Sequence, residues 1–295
     1  MEETLGKNHP NVATSLNNLA LLYYTQGDYE AALPLYRRSL QIDEEALGKN
    51  HPNVATSLNN LALLYYTQGD YEAALPLYRR SLQIDEEALG KNHPNVATSL
   101  NNLAELYQTQ GDYEAALPLY RRSLQILEET LGKNHPNVAT TLNNLAELYR
   151  TQGDYEAALP LYRRSLQIDE EALGKNHPNV ATSLNNLAEL YQTQGDYEAA
   201  LPLYRRSLQI LEETLGKNHP NVATSLNNLA ELYRTQGDYE AALPLYERAL
   251  KILQAAFGER HPNIAITLEN MAGLHGKMGN TEKAAEFRQK AARAK

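Results

Sequence analysis

Apolar residues recur along this chain at intervals of three and four. Val12, Leu16, Leu19, Ala20 and Tyr23 fall on one helical stripe. Pro10 suits the first turn of that helix, because its missing N–H would lack a partner there anyway. Gly27 ends the helix, and Asp28 is a good N-cap for the next. The second helix turns Ala32, Leu35, Tyr36, Leu40 and Leu47 toward the core, and Gly48 stops it. Nowhere does the chain sustain the alternation of a strand. Pro34 falls inside the second helix and is read as a built-in kink that shapes curvature, not as a boundary.

The pattern then repeats. The 42-residue segment from Gly6 recurs unchanged from Gly48, and edited copies begin at Gly90, Gly132, Gly174 and Gly216. A seventh, diverged copy runs from Gly258 to Lys295. The copies at Gly90 and Gly174 are identical to each other. Such identity points to recent duplication, homogenisation or deliberate design. One helix pair cannot bury its own apolar stripe, so the copies must stack into a solenoid. The expected organisation is one repeat domain over 1–295. Its repeats are 6–47, 48–89, 90–131, 132–173, 174–215, 216–257 and a capping repeat at 258–295. Residues 1–5 match the tail of a preceding helix, as if cut from a longer array. Copy one therefore has no polar cap, and self-association through that end is expected.

A period near 42 also fits HEAT-type repeats or propeller blades, and the helical pattern removes the propeller. Leu16-x2-Leu19-Ala20-x2-Tyr23, Gly27-Asp28-Tyr29 and Ala32-x3-Tyr36 together resemble the tetratricopeptide repeat. The strings HPNVATSLNNLA, GDYEAALPLYRRSL and LEETLGKNHP are similar to its kinesin light chain type. Leu16 stands where tryptophan is frequent in that family, and Ala20 replaces its small glycine. The resemblance implies an all-α, right-handed superhelical solenoid of stacked antiparallel helix pairs. It also implies a protein-binding scaffold whose first helices line a concave face. It does not imply cargo transport.

Asn17, Leu21 and Tyr24 lie within roughly 60° of one another on the flank of the first helix. Asn59, Asn101, Asn143, Asn185 and Asn227 repeat the asparagine. Leu63 keeps the leucine, while Glu105, Glu147, Glu189 and Glu231 replace it. Tyr66 keeps the tyrosine, while Gln108, Arg150, Gln192 and Arg234 replace it. An amide both donates and accepts, so an asparagine ladder can pair with a peptide backbone. The resemblance supports that role, and the variable positions would then supply specificity. The alternative is that the asparagines bond to nearby helix ends or water. Arg150 and Arg234 each follow a glutamate by three residues, so an intrahelical ion pair is expected there. The second series, from Asn18 and Asn60 to Asn228, reads as structural or exposed.

Other chemistry is thin. With 42% hydrophobic residues the chain can bury a core, and its net charge of −9 argues against a nucleic-acid or anionic-membrane partner. No apolar run approaches the roughly 18–20 residues of a membrane span, and Met1–Pro10 has no secretory signal. A cytoplasmic location fits. Without cysteine there is no thiol chemistry. Histidines 9 to 261 recur once per repeat, a row and not a metal cluster, and read as loop caps. Ser39 has no base beside it, so neither catalysis nor a cofactor is expected. Glu44–Glu45 and Arg37–Arg38 read as solvated helix faces. The expected partner is a protein or peptide ligand. The alternative is a self-associating structural array, designed or excised from a larger signalling protein.

Overall fold

The computed structural model describes residues 6–294, and among these it contains fourteen α-helices and no strand. Met1–Leu5, read above as the remnant of a preceding helix, lies outside the described residues. Contacts divide the chain into two units that meet at Leu148 and Tyr149. The first holds three complete helix pairs: α1 (Pro10–Thr25) with α2 (Tyr29–Leu47), α3 (Pro52–Thr67) with α4 (Tyr71–Leu89), and α5 (Pro94–Thr109) with α6 (Tyr113–Leu131). It ends within α7 (Pro136–Thr151). The second holds α8 (Tyr155–Leu173), then α9 (Pro178–Thr193) with α10 (Tyr197–Leu215). It closes with α11 (Pro220–Gln236) on α12 (Tyr239–Phe257) and α13 (Pro262–Lys277) on α14 (Thr281–Ala294). The odd-numbered helices are the A helices of their repeats, and the even-numbered ones the B helices.

Local chemistry sets the ends of these helices. Each loop histidine is an N-cap: His9, His51 and His93 accept the backbone N–H two residues on at Nδ1, each at 3.1 Å. His135, His177, His219 and His261 do the same. Proline follows at the first helical position, where it sacrifices no bond. Asp28, Asp70 and Asp112 cap the B helices through the N–H three residues on, each at 3.1 Å. Gly48 ends α2 at φ +88°, ψ 152°, a region open essentially to glycine alone. Pro34 sits on an exposed face, and α2 runs on past it to Leu47.

Packing follows the predicted stripes, with instructive departures. Ala20, Ala32 and Tyr36 pack with Leu61 and Leu64 of the next A helix, so each core is shared between repeats. Ser39, Ser81 and Ser123 are buried, and each donates to the carbonyl 26 residues earlier at 2.8 Å, tying B helix to A helix. Leu19 was expected in the core but is 42% exposed, whereas its counterpart Leu61 is 4% exposed. Leu22 is likewise 52% exposed where Leu64 is sealed. The second arginine of three doublets is not simply a solvated charge. Arg80 bridges Glu44 of the preceding repeat at 2.7 Å and donates to the Lys49 carbonyl at 3.2 Å. Arg122 does the same with Glu86 and Lys91, and in the second unit so does Arg206 with Glu170 and Lys175.

Candidate functional site

The candidate residues all lie along A helices, and stacking sets them side by side within each unit. In the first unit the asparagine ladder is half-buried and knits neighbours together. Asn60 donates to Asn17 at 2.8 Å, and Asn102 to Asn59 at 3.4 Å. Asn59 and Asn101 donate across to Ser99 at 3.2 Å and Thr141 at 2.7 Å. Asn143 holds the same place on α7. In the second unit Asn227 donates to Thr267 at 2.7 Å. The carbonyl oxygens of Asn101, Asn185 and Asn227 are buried with no hydrogen-bond partner. The amides thus serve the stack itself. Of the second asparagine series, Asn60 and Asn102 are half-buried rather than fully exposed.

Four of the variable positions share one geometry. Tyr24 bonds Thr67 and Tyr66 bonds Thr109, each at 2.8 Å. Arg150 reaches Thr193 at 3.4 Å, and Gln192 reaches Thr235 at 3.3 Å. In each of these four cases the side chain crosses to a threonine 43 residues on. Gln108 and Gln192 also accept the buried-tyrosine hydroxyls of Tyr120 and Tyr204, at 3.1 and 3.0 Å.

The acidic positions are tied in too. Tyr66 donates to Glu105 at 3.4 Å, and desolvation raises the Glu105 pKa above the ordinary carboxylate value. Arg234 pairs within its helix with Glu231, as the spacing predicts, and Tyr246 donates to Glu231 at 2.8 Å. Arg150 bridges Glu189 of the next repeat at 3.0 Å. Burial, then Glu231, holds the Tyr246 hydroxyl far above its usual range. Leu21 is 46% exposed, while Leu63 and Glu147 are half-buried.

Two cavities open between consecutive A helices of the first unit. One, of about 230 Å³, lies between α3 and α5, walled by Thr56, Asn59, Asn60, Asn95, Thr98 and Asn102. Its one buried lining residue is Asp85, from helix α4. The other, of about 400 Å³, lies between α5 and α7 and is walled at equivalent positions by Asn101, Asn102, Glu105, Thr140 and Asn144 among others. Its one buried lining residue is Leu127, from helix α6. Ser99 donates to Asp85 at 2.8 Å, and burial raises the Asp85 pKa despite that bond and nearby His93. Sequence reasoning missed the threonines and the B-helix residue beneath them. The one available signal was the Asp/Leu exchange at 43, 85, 127, 169 and 211.

The tetratricopeptide repeat model matches seven overlapping segments that together span residues 1–295. This chain belongs to the tetratricopeptide repeat family. Its repeats are of the kinesin light chain type, since solved structures of that type resemble it. BtubC (BKLC) from P. vanneervenii is 27% identical with a TM-score of 0.62, covering 76% of this chain and 90% of that one. A kinesin light chain candidate from Podosopora anserina with nearly identical TPR-like repeats is 28% identical with a TM-score of 0.56, covering 70% and 97%. A Rap protein complexed with Competence and Sporulation Factor shares the fold, with 16% identity and a TM-score of 0.72 over 96% of this chain and 74% of that one. No curated protein sequence matches. Among the described residues, no helix of this tetratricopeptide chain is long and apolar enough to cross a membrane.

Proposed function

We propose that this chain is a non-enzymatic protein-interaction scaffold that holds an extended or helical peptide segment against its A helices. The observation that carries this reading is the pair of cavities between consecutive A helices of the first unit, walled at equivalent positions by amides and hydroxyls. Such walls offer paired donors and acceptors, which a peptide backbone needs along its length. Tetratricopeptide folds are generally scaffolds, and a fold neighbour was solved in complex with a peptide, Phr*. Residues 21, 63, 105, 147, 189 and 231, with 24, 66, 108, 150, 192 and 234, then tune specificity over a constant asparagine row. The test replaces Asn59 and Asn101 with alanine and screens wild type and variant against a peptide array, with helicity followed by circular dichroism. Binding that falls while helicity persists is expected. Unchanged affinity of a bound peptide overturns the ladder mechanism.

A second reading, self-association, is favoured by α1. Leu19, Leu21 and Leu22 are all at least 42% exposed, while the counterparts of Leu19 and Leu22 in the next repeat are covered by the preceding B helix. A second copy packing α1 on α1 would cover them. Light scattering over a wide concentration range tests this: a constant mass of 33.0 kDa overturns it.

A further inference from the structure

The two cavities of the first unit are the same slot built twice. Their walls come from equivalent A-helix positions: Thr56 and Asn60 in one correspond to Thr98 and Asn102 in the other. Their buried floors come from equivalent B-helix positions, 42 residues apart, and there the chemistry is opposite. Asp85 is 3% exposed and Leu127 is 2% exposed. The remaining lining residues are half-buried or exposed.

From this juxtaposition we infer that the floors select side chains: the Asp85 slot takes a lysine or arginine and the Leu127 slot an apolar side chain of one bound peptide. The inference rests on the peptide-binding reading and deepens it by naming the partner's chemistry. An acid removed from water gains most from a cation that brings its own hydrogen bonds. Asp85 is the only ionisable group lining its slot, with Ser99 bonded behind it and Asn59 bonded to Ser99. The Leu127 slot has no acid on its floor, and its one wall carboxylate, Glu105, is engaged by Tyr66. Packed helices stand about 8–10 Å apart. A polyproline II peptide rises about 9 Å in three residues and presents the same face again. Basic and apolar side chains three residues apart would therefore reach neighbouring slots together.

The chain itself supplies the controls. Asp85→Leu and Leu127→Asp each install a residue that other repeats already carry at that place. In the Leu127 repeat, Thr141 donates to the Asn137 carbonyl at 3.3 Å, so the hydroxyl opposite Asp85 has a ready substitute acceptor. The probes are blocked hexapeptides Ac-Pro-Xaa-Pro-Pro-Yaa-Pro-NH2, with lysine, leucine or glutamate at each variable place, in both orders. Affinities are read from NMR shifts of the Asn59 and Asn102 side-chain amides. One lysine/leucine order is expected to bind best, and Asp85→Leu to weaken it about tenfold while strengthening the leucine/leucine peptide. Leu127→Asp should shift preference toward lysine/lysine. Binding with the same preferences in wild type and both variants overturns the floor inference and leaves the scaffold reading standing. Failure of every hexapeptide, and of a longer peptide array, to bind wild type overturns both.

Discussion

Arg80 on α4 and Glu44 on α2 meet at 2.7 Å across a repeat boundary, and the same arginine also holds the Lys49 carbonyl. Both side chains are partly exposed, so each such clip contributes modestly. Arg80→Ala is expected to cost about 0.5–1 kcal/mol. Urea unfolding at low and high salt checks it. The difference between variant and wild type should shrink in high salt, because screening weakens a partly exposed pair.

Buried aspartates give the fold a defined acid response. Burial raises the pKa of Asp43, Asp85 and Asp169 above the ordinary 3.8, although a serine hydroxyl and a nearby histidine (His51, His93 or His177) pull the other way. Folding therefore favours the protonated acid. The charged form costs stability above the folded-state pKa, and that cost disappears as pH falls below the unfolded value. Asp85→Asn keeps an acceptor for Ser99 without the charge. It should stabilise the chain at neutral pH, with a gain that vanishes in acid, measured by urea midpoints from pH 3 to 8.

Loop histidines act through one nitrogen. His93 Nδ1 accepts the Asn95 N–H at 3.1 Å and starts α5. His93→Ala should cost about 1 kcal/mol, and His93→Asn should restore most of it, since asparagine is a strong N-cap. Thermal melts of the two variants, side by side, check the role.

The same leucine should matter differently in adjacent repeats. Leu64 is sealed, so Leu64→Ala is expected to cost about 2–5 kcal/mol. Leu22 is 52% exposed, so Leu22→Ala should stay within about 0.5 kcal/mol in a monomer. A larger, concentration-dependent cost for Leu22→Ala would mean that a second copy covers α1.

Much of this was legible in the sequence. The 3.6-residue period, the His-Pro and Gly-Asp punctuation and the near-identical copies determined helix pairs, their caps and their stacking. Each cap lies within three residues of its partner, so local spacing was enough to find it. Periodicity also put Asn17, Leu21 and Tyr24 on one face. It could not say what lay opposite, because their neighbours are about 40 residues away in sequence. Arg150 shows the limit: no local spacing pointed to its bridge with Glu189 of the next repeat at 3.0 Å.

Only tertiary structure decided what shares a site. Asp85 belongs to a B helix by sequence, yet stacking places it beneath two A helices with Ser99, fourteen residues on. Leu22 and Leu64 lie in matching sequence and differ from half-exposed to sealed. A helical pattern fixes which way a side chain points from its own axis. What it touches is fixed by the neighbouring helix, and burial belongs to the pair.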